Sequence, residues 1–331
     1  MTPALLNQFA DLTNLQIQKM FKKAAGLSVN YSKYYNVRTT TDEIDKDSSL
    51  SGLAEAEFTT TDNGVITEDA PIQGFSASYT QQSVDLLVTL SYRLYKFGLK
   101  KRKLEFIADE IQKALNRKKE KLAAERITNG QATAYTHVGV GKNTSISLTG
   151  GDGYEPWKTT HTREDGGTSM NNVVYDGTTY SLPFGYSGLK AAHRTASLFV
   201  DPRGNPMETN LNLLICKDGS SVHFKAMEIL GAIKNGKIPE SNDNDASGVR
   251  PFSILPLKYL TTDALWAMTD SSMMNDEYGF QHIESEANNV DNVNVVYKTR
   301  EMQWAGHTIF TQGFNDVARS WVFSLGDSLG T

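Results

Sequence analysis

Apolar residues recur at Leu104, Ile107, Ala108, Ile111, Leu115, Leu122, Ala123 and Ile127, the three-and-four spacing that lays one stripe along a helix. This stretch predicts one helix over 99–129, preceded by Gly98 and closed by Asn129-Gly130. At about 1.5 Å per residue it would run roughly 46 Å, so another surface must lie along it. The same spacing at Leu5, Phe9, Leu12, Ile17, Met20, Phe21 and Ala24 predicts an N-terminal helix, with Thr2-Pro3 as its start and Gly26 as its end. Shorter helices are predicted over 186–200, stopped by Asp201-Pro202-Arg203-Gly204, and over 221–230, capped by Ser220 or Ser221.

Elsewhere the period is two. From 27 to 95 the pattern is strand-like, with Asp62-Asn63-Gly64 as a hairpin turn, alternation at Phe75, Ala77 and Tyr79, and an apolar strand over 84–90. Two long strands with so little apolar content form no core alone, so they must lean on another domain or chain. Residues 133–182 are glycine-rich and read as loops and short hairpins. Strands are predicted at 211–216, 252–257, 265–268, 293–297, 302–304, 307–310 and 321–323, which gives a mixed α and β middle and a β-rich end.

The chain has 331 residues, 39% hydrophobic and 21% charged, with no apolar run long enough to span a membrane, so a soluble protein is expected. Its polar-interrupted start does not read as a secretory signal. One cysteine, Cys216, excludes an intrachain disulfide. The net charge of -5 gives no overall pull towards nucleic acid, but the charge is unevenly spread. Residues 42–69 carry nine acids (Asp42, Glu43, Asp45, Asp47, Glu55, Glu57, Asp62, Glu68, Asp69) and one base, a net of -8. Residues 93–126 carry twelve bases and five acids, a net of +7. Lys100, Lys101, Arg102, Lys103, Arg117, Lys118 and Lys119 belong to this basic stretch, where a charge run is ordinarily a solvated helix face.

Catalytic and ligand patterns are absent from the sequence. Gly139-Val-Gly141-Lys142-Asn143 has the look of a phosphate loop, yet lacks the first glycine and puts Asn143 where Ser or Thr would hold magnesium. Asp243, Asp245 and Ser247 alternate as in a calcium loop, but Ile254 stands at the closing acid's position and Pro251 intrudes. The six histidines fall at no ligand spacing with one another or with Cys216. Gly185-Tyr-Ser187-Gly188 stops one residue short of a nucleophile elbow. No catalytic residue, cofactor or metal ligand is therefore expected, and His161 is expected to hydrogen-bond within a loop.

The order of features resembles a family. Tyr31-Ser-Lys-Tyr-Tyr-Asn-Val37, Leu50-Ser-Gly-Leu53, the hairpin from Gly64 to Phe75 and the helix ending in Ala123-Ala-Glu-Arg-Ile127 come first. Asp152-Gly153, Trp157, His161, Gly166 and Asn171 then follow a D-G-x-x-L-F-S-x-x-H-x-x-x-x-G-x-x-x-x-N signature, with Pro156, Trp157 and Lys158 in place of its Leu, Phe and Ser. Asp201-Pro-Arg-Gly-Asn-Pro206, Asn242-Asp-Asn-Asp245 and Leu265-Trp266 continue that order. The chain resembles tailed-phage major capsid proteins of the Hong Kong 97 type, and among them the Mu-like major head subunits.

The resemblance implies an α+β capsid fold with an N-terminal arm (1–50), an extended E-loop hairpin (51–90), a peripheral domain with a spine helix and a glycine-rich insertion (91–185), an axial domain (186–292) and return strands of the peripheral domain (293–331). It implies a structural protein of the virion, assembled in the host cytoplasm into an icosahedral shell of hexamers and pentamers. Its partners would be itself, a portal, and a scaffold or decoration protein; the shell would enclose double-stranded DNA without reading its sequence and touch no membrane. A nanocompartment shell of the same fold, and more distantly a soluble enzyme or carbohydrate-binding module, are the alternatives. Some relatives lock their shells with an isopeptide bond from an E-loop lysine; residues 47–95 contain no lysine, so non-covalent shells are expected. If the hairpin lies across the neighbouring subunit, its acids would meet the basic helix face of the next copy, and the complementary charge would steer the contact and set its register.

Overall fold

The computed structural model describes residues 29–50, 52–53, 56, 58, 68–71, 73–92, 101–139, 142–235, 250–273, 278–291, 294–296 and 298–326, and of 101–106 and 232–235 the backbone alone. The expected N-terminal helix, the Asp62-Asn63-Gly64 turn and the calcium-like 242–248 segment lie outside the described residues.

A 3₁₀ turn at Tyr31–Lys33 leads into β1 (Asn36–Thr39), β2 (Ile44–Leu50), β3 (Gln73–Thr80) and β4 (Gln82–Ser91). Helix α1 (Lys101–Thr128) follows, then the hairpin of β5 (Ala134–Val138) and β6 (Asn143–Ser147). The middle holds α2 (Tyr186–Ala196), β7 (Leu213–Lys217), α3 (Ser221–Asn235), β8 (Ser253–Leu257) and β9 (Trp266–Thr269). The chain ends with β10 (Phe280–Val290), β11 (Asn294–Val296), β12 (Glu301–Phe314) and β13 (Trp321–Ser324).

Two sheets organise these elements. The first runs β1-β10-β12-β11, with β4 on the other side of β12, and α1 lies against it. Ala108, Ile111 and Leu115 of α1 pack on Val290, Met302 and Trp304. The helix comes so near β12 that a Cβ built on Gly306 would collide with Ile111, which explains a glycine in mid-strand. The second sheet runs β13-β9-β7-β8. Its strands are apolar at successive positions because both faces are covered. Leu214, Cys216, Trp266, Met268 and Val322 meet α2 and α3 on one face, while Ile215, Ala267, Trp321 and Phe323 face the other. That second face joins Phe280, Phe314 and the buried end of α1, Ala123 and Ile127, so one core binds the two sheets.

Two strand expectations are corrected. The predicted strands at 302–304 and 307–310 are one continuous strand, β12. Strand β10, unrecognised in sequence, belongs to the first sheet and pairs with β12 from Phe280 to Val290. Its half-buried positions Glu284, Glu286 and Asn288 are polar and meet Lys119, His307 and Asn116, so no apolar alternation marks this part of the strand. Strand β13, expected at 321–323, pairs with β9, and its Trp321 and Phe323 complete the core between the sheets. Smaller shifts are local: α2 stops at Ala196, four residues early, where Leu198 and Phe199 turn back onto the carbonyls of Thr195 and Ala196.

Candidate assembly surface

The helix face expected to be basic and solvated is divided by the fold. Lys113 and Arg117 are exposed, and Lys113 holds Glu110 at 3.1 Å across one turn. Lys119 is only 2% exposed and points inward, with its Nζ 2.8 Å from Glu284 Oε1 on β10. It leaves the exposed set expected from the sequence, since β10 runs beneath this turn of the helix. Lys118 is half-buried; its Nζ lies 2.6 Å from His137 Nε2, and His137 Nδ1 lies 2.5 Å from Glu125 Oε2. Burial lowers both lysines below the ordinary range, opposed by Glu125 for Lys118 and Glu284 for Lys119.

Around Lys119 the polar groups close into a buried network. Burial lowers the His282 pKa; its Nδ1 accepts from Gln312 Nε2 at 3.0 Å, which leaves Nε2–H to donate to Glu284 Oε1 at 2.9 Å. Gln312 Nε2 also donates to the Lys119 carbonyl at 3.2 Å, and Tyr31 OH donates to Glu284 Oε1 at 3.2 Å. Burial alone would raise the Glu284 carboxyl, but His282 and Lys119 outweigh it and bring it to about 2. One ionised carboxylate thus ties the 3₁₀ turn, α1, β10 and β12 together.

The root of the acidic hairpin is a two-stranded sheet of β2 and β3, paired from Ile44↔Thr80 to Leu50↔Gln73. Asp45 and Asp47 turn to Arg38, 3.7 and 3.4 Å away, while Asp42, Glu43 and Glu68 are exposed. Asp69 is held by Arg203 Nη1 at 3.0 Å. Glu55, Glu57, Asp62 and Lys100 lie outside the described residues, as do the side chains of Lys101, Arg102 and Lys103. At the end of β2 and just after it the chain presents Leu50, Leu53 and Phe58 to solvent, the last 99% exposed.

Two of the signature residues, His161 and Trp157, are buried. His161 is buried, its Nδ1 2.6 Å from Asp152 Oδ2 and its backbone bridged to Met170. Trp157 stacks on Phe323 with ring centroids 4.3 Å apart. Nearby, Arg319 is fully buried between Asp316 and Glu164, with Nη2 2.7 Å from Glu164 Oε2 and Nε donating to Val200 O at 2.9 Å. Cys216 is fully buried, and burial pushes its thiol up to about 12. Among the described residues no three His, Cys, Asp or Glu cluster as a metal site, and no helix is long and apolar enough to cross a membrane.

This architecture has counterparts among solved structures. It matches the capsid of an empty GTA particle with a TM-score of 0.51 at 11% identity, covering 92% of this chain and 90% of that one. The capsid of Cyanophage P-SCSP1u matches with a TM-score of 0.50 at 9% identity, covering 90% and 88%. The chain has a capsid fold. No protein-family model matches it, and no curated protein does.

Within this capsid fold, one cleft brings together residues from elements far apart in sequence. Cavities of 520 and 280 Å³ lie side by side, lined in common by Gln82, Arg126, Ile146, Thr311 and Gln312. The larger also takes Lys118, His137 and Lys142, and the smaller takes residues 76–80 of β3 and 145–147 of β6. Sequence reasoning counted Arg126 among the bases of the helix, but its place on this cleft depends on β3, β6 and β12.

Proposed function

We propose that the chain is the major subunit of an icosahedral shell of the Hong Kong 97 type, akin to Mu-like head subunits, which self-assembles around phage double-stranded DNA. A capsid fold over 92% of the chain carries this reading. The β2–β3 extension supports it, since its exposed Leu50, Leu53 and Phe58 are the kind of apolar groups that a neighbouring subunit covers. In this reading residues 1–50 are an arm, 51–90 an E-loop across the adjacent copy, and α1 the spine of the peripheral region. Hexamers and pentamers of the chain, a portal, and a scaffold or decoration protein complete the virion, which assembles in the host cytoplasm. The protein acts by assembly, without catalysis.

Light scattering of the purified chain under assembly conditions tests the proposal. A megadalton species that appears as shells by electron microscopy is the expected outcome; a stable 36.6 kDa monomer overturns it. Enclosed DNA in particles from infected cells is expected, whereas enclosed protein cargo points to a nanocompartment.

A further inference from the structure

Arg126 is only 8% exposed and, among the described residues, makes no ion pair. Its Nη1 donates to Ser147 O at 3.3 Å, whereas Nε is buried without a partner and Nη2 makes no hydrogen bond among the described residues. The Nε–Nη2 side of a guanidinium is a bidentate edge for oxyanions, and here that edge is free. Arg126 lines both cavities of the cleft, and among the described residues no Asp or Glu lines either. Glu125, its neighbour in the chain, is taken by His137 at 2.5 Å and Lys121 at 3.7 Å. Water can satisfy an N–H, but it leaves a desolvated guanidinium without a counter-charge. Tyr79, which lines the smaller cavity, is 5% exposed, and its hydroxyl is a second buried group without a partner.

Two lysines add charge to the larger cavity. Lys118 Nζ meets His137 Nε2 at 2.6 Å and keeps further N–H groups for a ligand. Lys142 is exposed on the lining and makes no ion pair among the described residues. It belongs to Gly139-Val-Gly141-Lys142-Asn143, the stretch with the look of a phosphate loop, which the fold places in the β5–β6 hairpin. The turn is tight, since a Cβ on Gly139 would collide with the Lys142 carbonyl. With a strand after it instead of a helix N-terminus, this stretch brings a lysine to the cleft and no backbone cradle. We propose that the cleft binds a small phosphate-type oxyanion, inorganic phosphate or a phosphomonoester, on the free edge of Arg126, with Lys118 and Lys142 supplying the remaining charge. The volumes of 520 and 280 Å³ have room for a tetrahedral anion. A duplex carries its phosphates on the outside of a stiff rod, whereas Arg126 is nine-tenths buried, so a small anion reaches it and a duplex does not.

The test uses the full-length unassembled chain at neutral pH and one ionic strength. Titration calorimetry and thermal unfolding are measured with inorganic phosphate, adenosine 5′-monophosphate, or chloride alone. Wild type is expected to bind phosphate and to melt higher with it than in chloride, as a ligand of the folded state requires. Arg126→Gln is expected to melt close to wild type in chloride, because an unpaired buried charge is removed, and to bind phosphate at least about tenfold more weakly. Lys142→Glu, at an exposed position, should keep the fold and weaken phosphate about tenfold, so it reads the site even where Arg126→Gln misfolds. Tighter binding of the nucleotide than of phosphate assigns the site to a phosphomonoester, and the reverse assigns it to the free ion. Unchanged affinity in both variants, or no binding of either probe to wild type, overturns the site. Equal rises in melting temperature for wild type and Arg126→Gln show a general salt effect and overturn it too. Binding of a duplex oligonucleotide that Arg126→Gln abolishes, with no binding of the small probes, overturns it in favour of DNA. The shell reading stands in every case, since assembly is not what is measured.

Discussion

Glu284 is the residue on which most of the polar core depends. Replacing Lys119 with Met leaves that carboxylate buried with one cation fewer, and the expected loss is about 3–5 kcal/mol in chemical denaturation of the unassembled chain. The double replacement Lys119→Met with Glu284→Gln should recover much of it, since no buried charge is then left unpaired. The pH dependence has a fixed sign. His282 and Glu284 both have folded pKa values below their ordinary 6.5 and 4.5, so the unfolded chain binds more protons as pH falls. Melting temperature should therefore drop first below pH 6.5, through His282, and further from 4.5 towards about 2, through Glu284. A Glu284→Gln variant should show a smaller second step, the remainder coming from Glu155 and Asp201, whose carboxyls are also held below their ordinary range. Neither His282 nor Glu284 was recognisable in the sequence, because a lone Glu two residues after a His has no distinguishing spacing.

Helix α1 shows how far periodicity reaches. Its extent and its apolar face, Ile111, Leu115 and Ile127, follow from the three-and-four spacing, and the described helix Lys101–Thr128 falls within the expected 99–129. Which of its bases are exposed does not follow, because Lys119 is drawn inward by a strand that carries its counter-charge. The outer face is therefore tested at Lys113 and Arg117. Arg117→Glu with Lys113→Glu should change subunit stability by about 0.5 kcal/mol or less and still impair assembly if this face meets acids of the next copy. High salt should mimic the effect, because the screening length falls to about 3 Å at 1 M. Contact between α1 and β12 is tested at Gly306: Gly306→Ala should cost about 1–3 kcal/mol, since the added methyl displaces Ile111 from its place on the sheet.

At the scale of the whole molecule, a shell without lysine in residues 47–95 should be non-covalent, and mature particles should run as a single band at 36.6 kDa on a denaturing gel. A ladder of multimers would contradict this. The sequence by itself determined the long helix, the apolar strands β7, β9 and β13, and the order of features that resembles a capsid subunit. These are local: an apolar stripe or a doubly buried strand is written in consecutive residues. Only the tertiary structure decided that β10 joins one sheet and β13 the other, and that Lys119 and Arg126 are interior. The reason is physical. A buried polar residue looks like a surface residue until the partner that stabilises its charge is known, and for Lys119 that partner lies 165 residues away.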